Sequence, residues 1–144
     1  MRKLFIVIFL LSCLTAFNSC DNGTRTLRNE TTVDVIWTSV EICADKWMKC
    51  SDADGLNTYY KYSIGINGLN MNVLKGGLVQ CYLYNGDSQT PLPVVRHYEN
   101  LHGQYWTRTI DYEFYHGGVS IYVTDNDFAG DPPGVMYFRL AFTY

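Results

Sequence analysis

The 144-residue chain is short of the residues that most often carry chemistry. It has three histidines, no CxxC and no paired histidines, so a zinc-type centre is not expected. His97, His102 and His116 lie in different segments, and no Ser/His/Asp or Cys/His order stands out as a triad. Basic residues are few, 11 Lys and Arg against 14 Asp and Glu. That balance is poor footing for nucleic-acid binding, which relies on neutralising phosphates. There is no internal repeat and no low-complexity segment. No apolar run approaches the roughly 20 residues that a membrane-spanning helix needs.

What the chain does have begins at its N-terminus. Arg2 and Lys3 precede an apolar run, Leu4 to Leu14, and a less apolar stretch then leads to Ser19-Cys20. At about 11 residues the run has the length of a secretory signal's core. Asp21, Asn22, Gly23 and Thr24 turn polar at once. A signal ending in a small residue plus cysteine resembles the lipobox of bacterial lipoproteins, which implies cleavage before Cys20 and lipidation of its thiol. Ser19 fits that pattern, whereas Phe17 and Asn18 depart from it. Cys13, in Leu11-Ser12-Cys13, is the rival match, but it would leave only about eight apolar residues before the cut. An ordinary secretory signal with an incidental cysteine is the third reading. The expected organisation is a signal over 1–19, a polar tether over 20–31 and a folded domain over 32–144. Removing residues 1–19 takes two of the 11 basic residues and none of the 14 acidic ones, so the mature charge falls from −3 to −5.

Tyrosine is the compositional outlier, 12 residues beside 7 Phe and 3 Trp. Aromatics suit strands better than helices. Val33 to Ala44 is β-prone, with Val33, Val35 and Trp37 on one face and Ile36, Val40 and Ile42 on the other. That change of face suggests a bulge or burial on both sides. Ala44 to Asn57 reads as a polar connection carrying Trp47. Tyr59 to Ile66 alternates, with Tyr60, Tyr62, Ile64 and Ile66 inward. Asn67 to Gly77 is the one helical signal, with Leu69, Val73 and Leu74 on one side, Asn67 as cap and Gly76 as stop. It is too short to stand alone and is expected as a lid or crossover. Leu78 to Tyr84 follows with Val79, Cys81 and Leu83 inward, then a turn at Asn85-Gly86-Asp87. Thr90-Pro91-Leu92-Pro93 permits only edge or loop conformations at its start. Val94 to Glu99 is a strand. Tyr105 to Tyr115 and Val119 to Thr124 form a hairpin through His116-Gly117-Gly118. Ile110, Tyr112 and Phe114 are expected inward, as are Val119, Ile121 and Val123. The last strand places Met136, Phe138, Leu140 and Phe142 on one face. The fold class is all-β, an antiparallel sandwich of about seven strands with one short helical crossover.

An exported chain permits disulfides. Cys43, Cys50 and Cys81 are an odd set, and one pair plus one buried thiol is the simplest outcome. Cys43 and Cys50 are close enough in sequence to close a short loop, though spacing alone does not choose the pairing. Asp125, Asp127 and Asp131 lie in one loop, but no Glu stands where an EF-hand needs its twelfth ligand. Asp52-Ala53-Asp54-Gly55 is equally incomplete. Asp111 and Glu113 share a strand face about 7 Å apart, and such a pair can act as acid and base in glycoside hydrolysis, yet with Thr107, Thr109 and Tyr115 they read as an ordinary wetted face. Tyr59, Tyr82, Tyr84, Tyr115 and Tyr122 are all expected outward. Clustered, they would offer flat apolar faces with hydroxyls for a sugar or a protein partner.

Trp47, Tyr60-Lys61-Tyr62, Gly76-Gly77-Leu78-Val79 with Tyr82-Leu83, Leu92-Pro93, the run Trp106 to Phe114, and Tyr137-Phe138-Arg139 follow one another in an order that is similar to small lipoproteins of Bacteroidota. The resemblance spans roughly residues 47–144. It implies a β-sandwich body and an envelope location, at the outer membrane or cell surface, and it brings no catalytic residue. The function expected is a lipid-anchored binding or interaction module without catalytic activity. Its expected partners are the membrane, through the anchor, and a glycan or another surface protein. A polysaccharide-binding accessory or a pilus-like assembly subunit is the alternative. No cofactor, metal or catalytic set is expected.

Overall fold

Period-two alternation builds almost everything here, because successive side chains on a strand point to opposite faces. The computed structural model describes residues 34–126 and 131–143, which fall within the compact unit Val33–Tyr144. The signal, Cys20 and the tether lie outside the described residues. So do Asp127 and Gly130.

Among the described residues nine strands form: β1 (Val35–Ile42), β2 (Met48–Ser51), β3 (Thr58–Gly65), β4 (Val79–Asn85), β5 (Ser88–Pro91), β6 (Val94–Glu99), β7 (Tyr105–Tyr115), β8 (Gly118–Asp125) and β9 (Met136–Thr143). One four-stranded sheet runs β1-β9-β4-β5 and one five-stranded sheet runs β2-β3-β8-β7-β6. Every pairing is antiparallel. The chain enters the first sheet, moves to the second at β2, returns at β4, leaves at β6 and comes back for β9. The helix α1 (Met71–Gly76) is one of these crossovers.

The inward rows of the two sheets make one core. Phe138, Leu140 and Phe142 of the central β9 face Val119, Ile121 and Val123 of the central β8, all essentially inaccessible. Full burial of such side chains contributes about 1.5–3 kcal/mol each. Trp47 is buried with them, edge-on to Tyr62 and Phe138, and its indole N–H donates to the Gly134 carbonyl.

Several local expectations are corrected. β1 has neither a bulge nor two buried faces. It pairs with β9 in unbroken register as the edge strand of its sheet, so Val35 and Trp37 stay exposed while Ile42 is fully buried. β2 and β5 are additional strands, each four residues long and each at a sheet edge. The helix is capped by Asn70, whose Oδ1 accepts from the Asn72 and Val73 N–H groups, and not by Asn67. Asn67 precedes Gly68, whose φ of 103° makes that pair a turn leading to the helix. Phe114 is 42% exposed. It sits one residue from the end of β7, past the core, and its ring leans only on Tyr112. Cys43 and Cys50 are both free thiols, as is Cys81. Cys43 follows β1 of one sheet and Cys50 lies on β2 of the other.

Candidate functional site

The five outward tyrosines divide between two opposite faces. β3, β8 and β7 are consecutive neighbours, and their register sets Lys61 opposite Tyr122, which in turn stands opposite Asp111. One row along, Ser63, Ser120 and Glu113 line up in the same way. Tyr59 and Tyr122 therefore meet on the outer face of the five-stranded sheet, ring centroids 5.9 Å apart. Tyr115 shares that face but stands at its end, opposite Gly118, and its ring folds over that glycine. Tyr82 and Tyr84, on β4, look out from the other sheet. There Tyr82 faces Trp37 across β9 at 6.3 Å, and Arg139 lies over the Tyr84 ring at 4.8 Å. A single cluster of five does not exist, because β4 belongs to the sheet opposite β3, β7 and β8.

Tyr59, Asp111, Glu113, Tyr122 and Thr124 line an open groove of about 410 Å³. Tyr122 is held on three sides. Its hydroxyl donates to Glu113 Oε2 at 2.8 Å, Lys61 Nζ sits 5.3 Å from its ring centroid, and Tyr59 flanks it. Burial raises the Tyr122 pKa, and the Glu113 hydrogen bond adds to the rise. The hydrogen bond with Tyr122 holds Lys61 above its ordinary value. Beneath them, Ser120 is buried and bonded to Ser63 through their hydroxyls at 2.9 Å, so the floor of the row is satisfied.

Asp111 differs from its neighbours. It is half-buried, and burial alone pushes its carboxyl above the ordinary range. Among the described residues it makes no ion pair and no side-chain hydrogen bond. A desolvated carboxylate without a donor accepts readily from a ligand hydroxyl. The pair Asp111 and Glu113, read from sequence as a wetted face, thus lines the groove, and Lys61 was not singled out at all. Their signal in the sequence was a carboxylate pair on the same strand parity as outward aromatics.

Asp125, Asp54 and His97 have partners of their own. Asp125 is committed to Arg108 through two bonds of 2.7 and 2.6 Å. Asp54 Oδ1 accepts from the Leu56 N–H and closes its own loop. His97 Nδ1 meets Thr107 Oγ1 at 2.9 Å, while His102 and His116 occupy separate turns. Among the described residues no three His, Cys, Asp or Glu side chains are placed to hold a metal ion. No family model matches the chain, and neither the curated proteins nor the solved structures contain a match to it.

Proposed function

We propose that the protein is a lipid-anchored, non-catalytic envelope module that binds a neutral polysaccharide in the Tyr59–Tyr122 groove. The observation that carries this reading is the half-buried Asp111 carboxylate, unpaired among the described residues, standing beside Tyr122 in a groove that Tyr59 also lines. Aromatic faces stack on the C–H side of a sugar ring, and carboxylates accept from its hydroxyls. Tyr122 is oriented before any ligand arrives, which lowers the ordering cost of binding. Two carboxylates on the groove disfavour an anionic sugar there. The anchor is the Cys20 thiol, and acyl chains bury about 0.8 kcal/mol per CH₂, so more than one chain gives stable attachment.

Affinity electrophoresis of the full chain through neutral glucans, mannans and galactans tests the groove. At least one polysaccharide should retard the wild type, and Tyr122→Ala should weaken that binding about tenfold or more. Unretarded wild type throughout would sink the reading. Release of reducing ends would replace it with a hydrolase using Asp111 and Glu113. For the anchor, labelled palmitate should enter the wild type and not Cys20→Ser; an unlabelled wild type removes the lipid.

A second reading, an assembly subunit, is favoured by β1. This edge strand carries exposed Val35, Ile36 and Trp37 without proline or bulge, and such edges accept an added strand. A protein that sediments as a monomer at high concentration would exclude it.

A further inference from the structure

Arg96 and Arg108 stand directly opposite each other on β6 and β7. Like charges in that position repel. Among the described residues only Arg108 has an acidic partner, taking both oxygens of Asp125. Arg96 has only a neutral one, the Thr90 hydroxyl, which its Nη2 reaches at 3.1 Å. No carboxylate lies within ion-pair distance of it among the described residues.

Arg96 also lines a pocket of about 300 Å³ where the β4–β5 hairpin meets the start of β9. Asn85, Ser88 and Thr90 supply an amide and two hydroxyls there, and among the described residues no acidic side chain lines it. In a chain of net charge −3 this is a polar recess whose one charged lining residue, among the described residues, is the Arg96 cation.

We propose that this pocket is a second binding site, for a compact oxyanion: the carboxylate of an acidic sugar, or a phosphate group. A guanidinium presents parallel N–H donors that match either oxyanion. The anion would neutralise Arg96 and relieve its repulsion with Arg108, so binding is coupled to stability. The site is separate from the Tyr59–Tyr122 groove, which is acidic and lies on the outer face of the opposite sheet, and it stands whether or not that groove binds sugar.

Isothermal titration of the full chain with a galacturonate trimer, inorganic phosphate and a neutral galactose trimer tests it. Binding of the uronate, of phosphate or of both is expected, weakening as salt is raised. The stronger of the two identifies the source of the oxyanion. Arg96→Gln should bind about tenfold more weakly or worse, and Arg96→Lys, which keeps the charge and loses the fork, should fall between. Lys49→Gln removes the same charge from β2 and should bind as the wild type does. The bound anion should raise the thermal midpoint of the wild type and leave that of Arg96→Gln in place. No heat from either anion, equal binding of the neutral trimer, or unchanged affinity in a folded Arg96→Gln would each overturn the proposal.

Discussion

The Tyr112 hydroxyl, carried on β7 of one sheet, donates to the Val79 carbonyl on β4 of the other at 3.1 Å. It is a polar tie between the two sheets, as the Arg96 to Thr90 bond is at their edge. Burial raises the Tyr112 pKa, so the phenol stays neutral and able to donate. Tyr112→Phe keeps the ring and removes the tie. Urea unfolding should show a loss of about 1 kcal/mol. An unchanged midpoint would mean that the bond contributes nothing net.

Adjacent glycines after the helix should respond in opposite ways. A Cβ at Gly77 would run into the Thr143 carbonyl oxygen and press on Val73, both backbone positions that have little room to give. Gly77→Ala should cost about 1–3 kcal/mol, as overpacking does. A Cβ at Gly76 meets nothing within 4 Å. Gly76→Ala should be neutral or stabilise by up to about 1 kcal/mol through the unfolded chain. Parallel thermal melts of the two variants check the contrast.

Asp111 predicts a pH effect with a definite sign. Burial raises its folded pKa above the unfolded value. Between those two values the native state holds more protons than the unfolded one, so stability falls as pH rises through that window. Above it the charged carboxylate remains at a cost. Asp111→Asn should therefore be at least as stable as the wild type at neutral pH, and the difference should shrink as pH drops below the carboxylate range. Denaturant midpoints from pH 3 to pH 8, about one unit apart, measure it. A difference that grows on acidification contradicts the assignment.

The three thiols should separate by access. Cys43 is exposed, Cys50 half-buried and Cys81 fully buried in β4, its thiol pushed up to about 12 by burial. The thiolate is the reactive form, so native Cys81 should resist alkylation. Mass spectrometry after mild iodoacetamide treatment should find Cys43 modified before Cys50, and Cys81 only after unfolding. Early labelling of Cys81 would place it outside the core.

The inward rows were legible because strand alternation is a local property. Tyr60, Tyr62, Ile64 and Ile66 on and just beyond β3, and Phe138, Leu140 and Phe142 on β9, were read correctly from parity alone. β2 and β5 were not. Met-Lys-Cys-Ser alternates over only four residues, too short to stand out from a loop, and Ser-Gln-Thr-Pro carries no apolar period; both are strands because a neighbouring strand offers its backbone. The helix cap was misplaced by three residues because Asn67 and Asn70 carry the same capping chemistry, and Gly68 turned the first into a turn residue.

For the candidate site, parity placed Tyr59 and Tyr122 outward, and nothing in the sequence said that they would meet. Their contact follows from β3 pairing with β8. The same pairing order took Tyr82 and Tyr84 to the opposite face and brought Asp111 beside Tyr122. The apolar pattern by itself determined which side of each strand looks inward, because a strand's side chains repeat every two residues wherever it lies. Which strands become neighbours was decided only in the folded chain, where long-range burial against β8 and β9 outweighs the loop closures needed to reach them. The groove and the Arg96 pocket are products of that second choice.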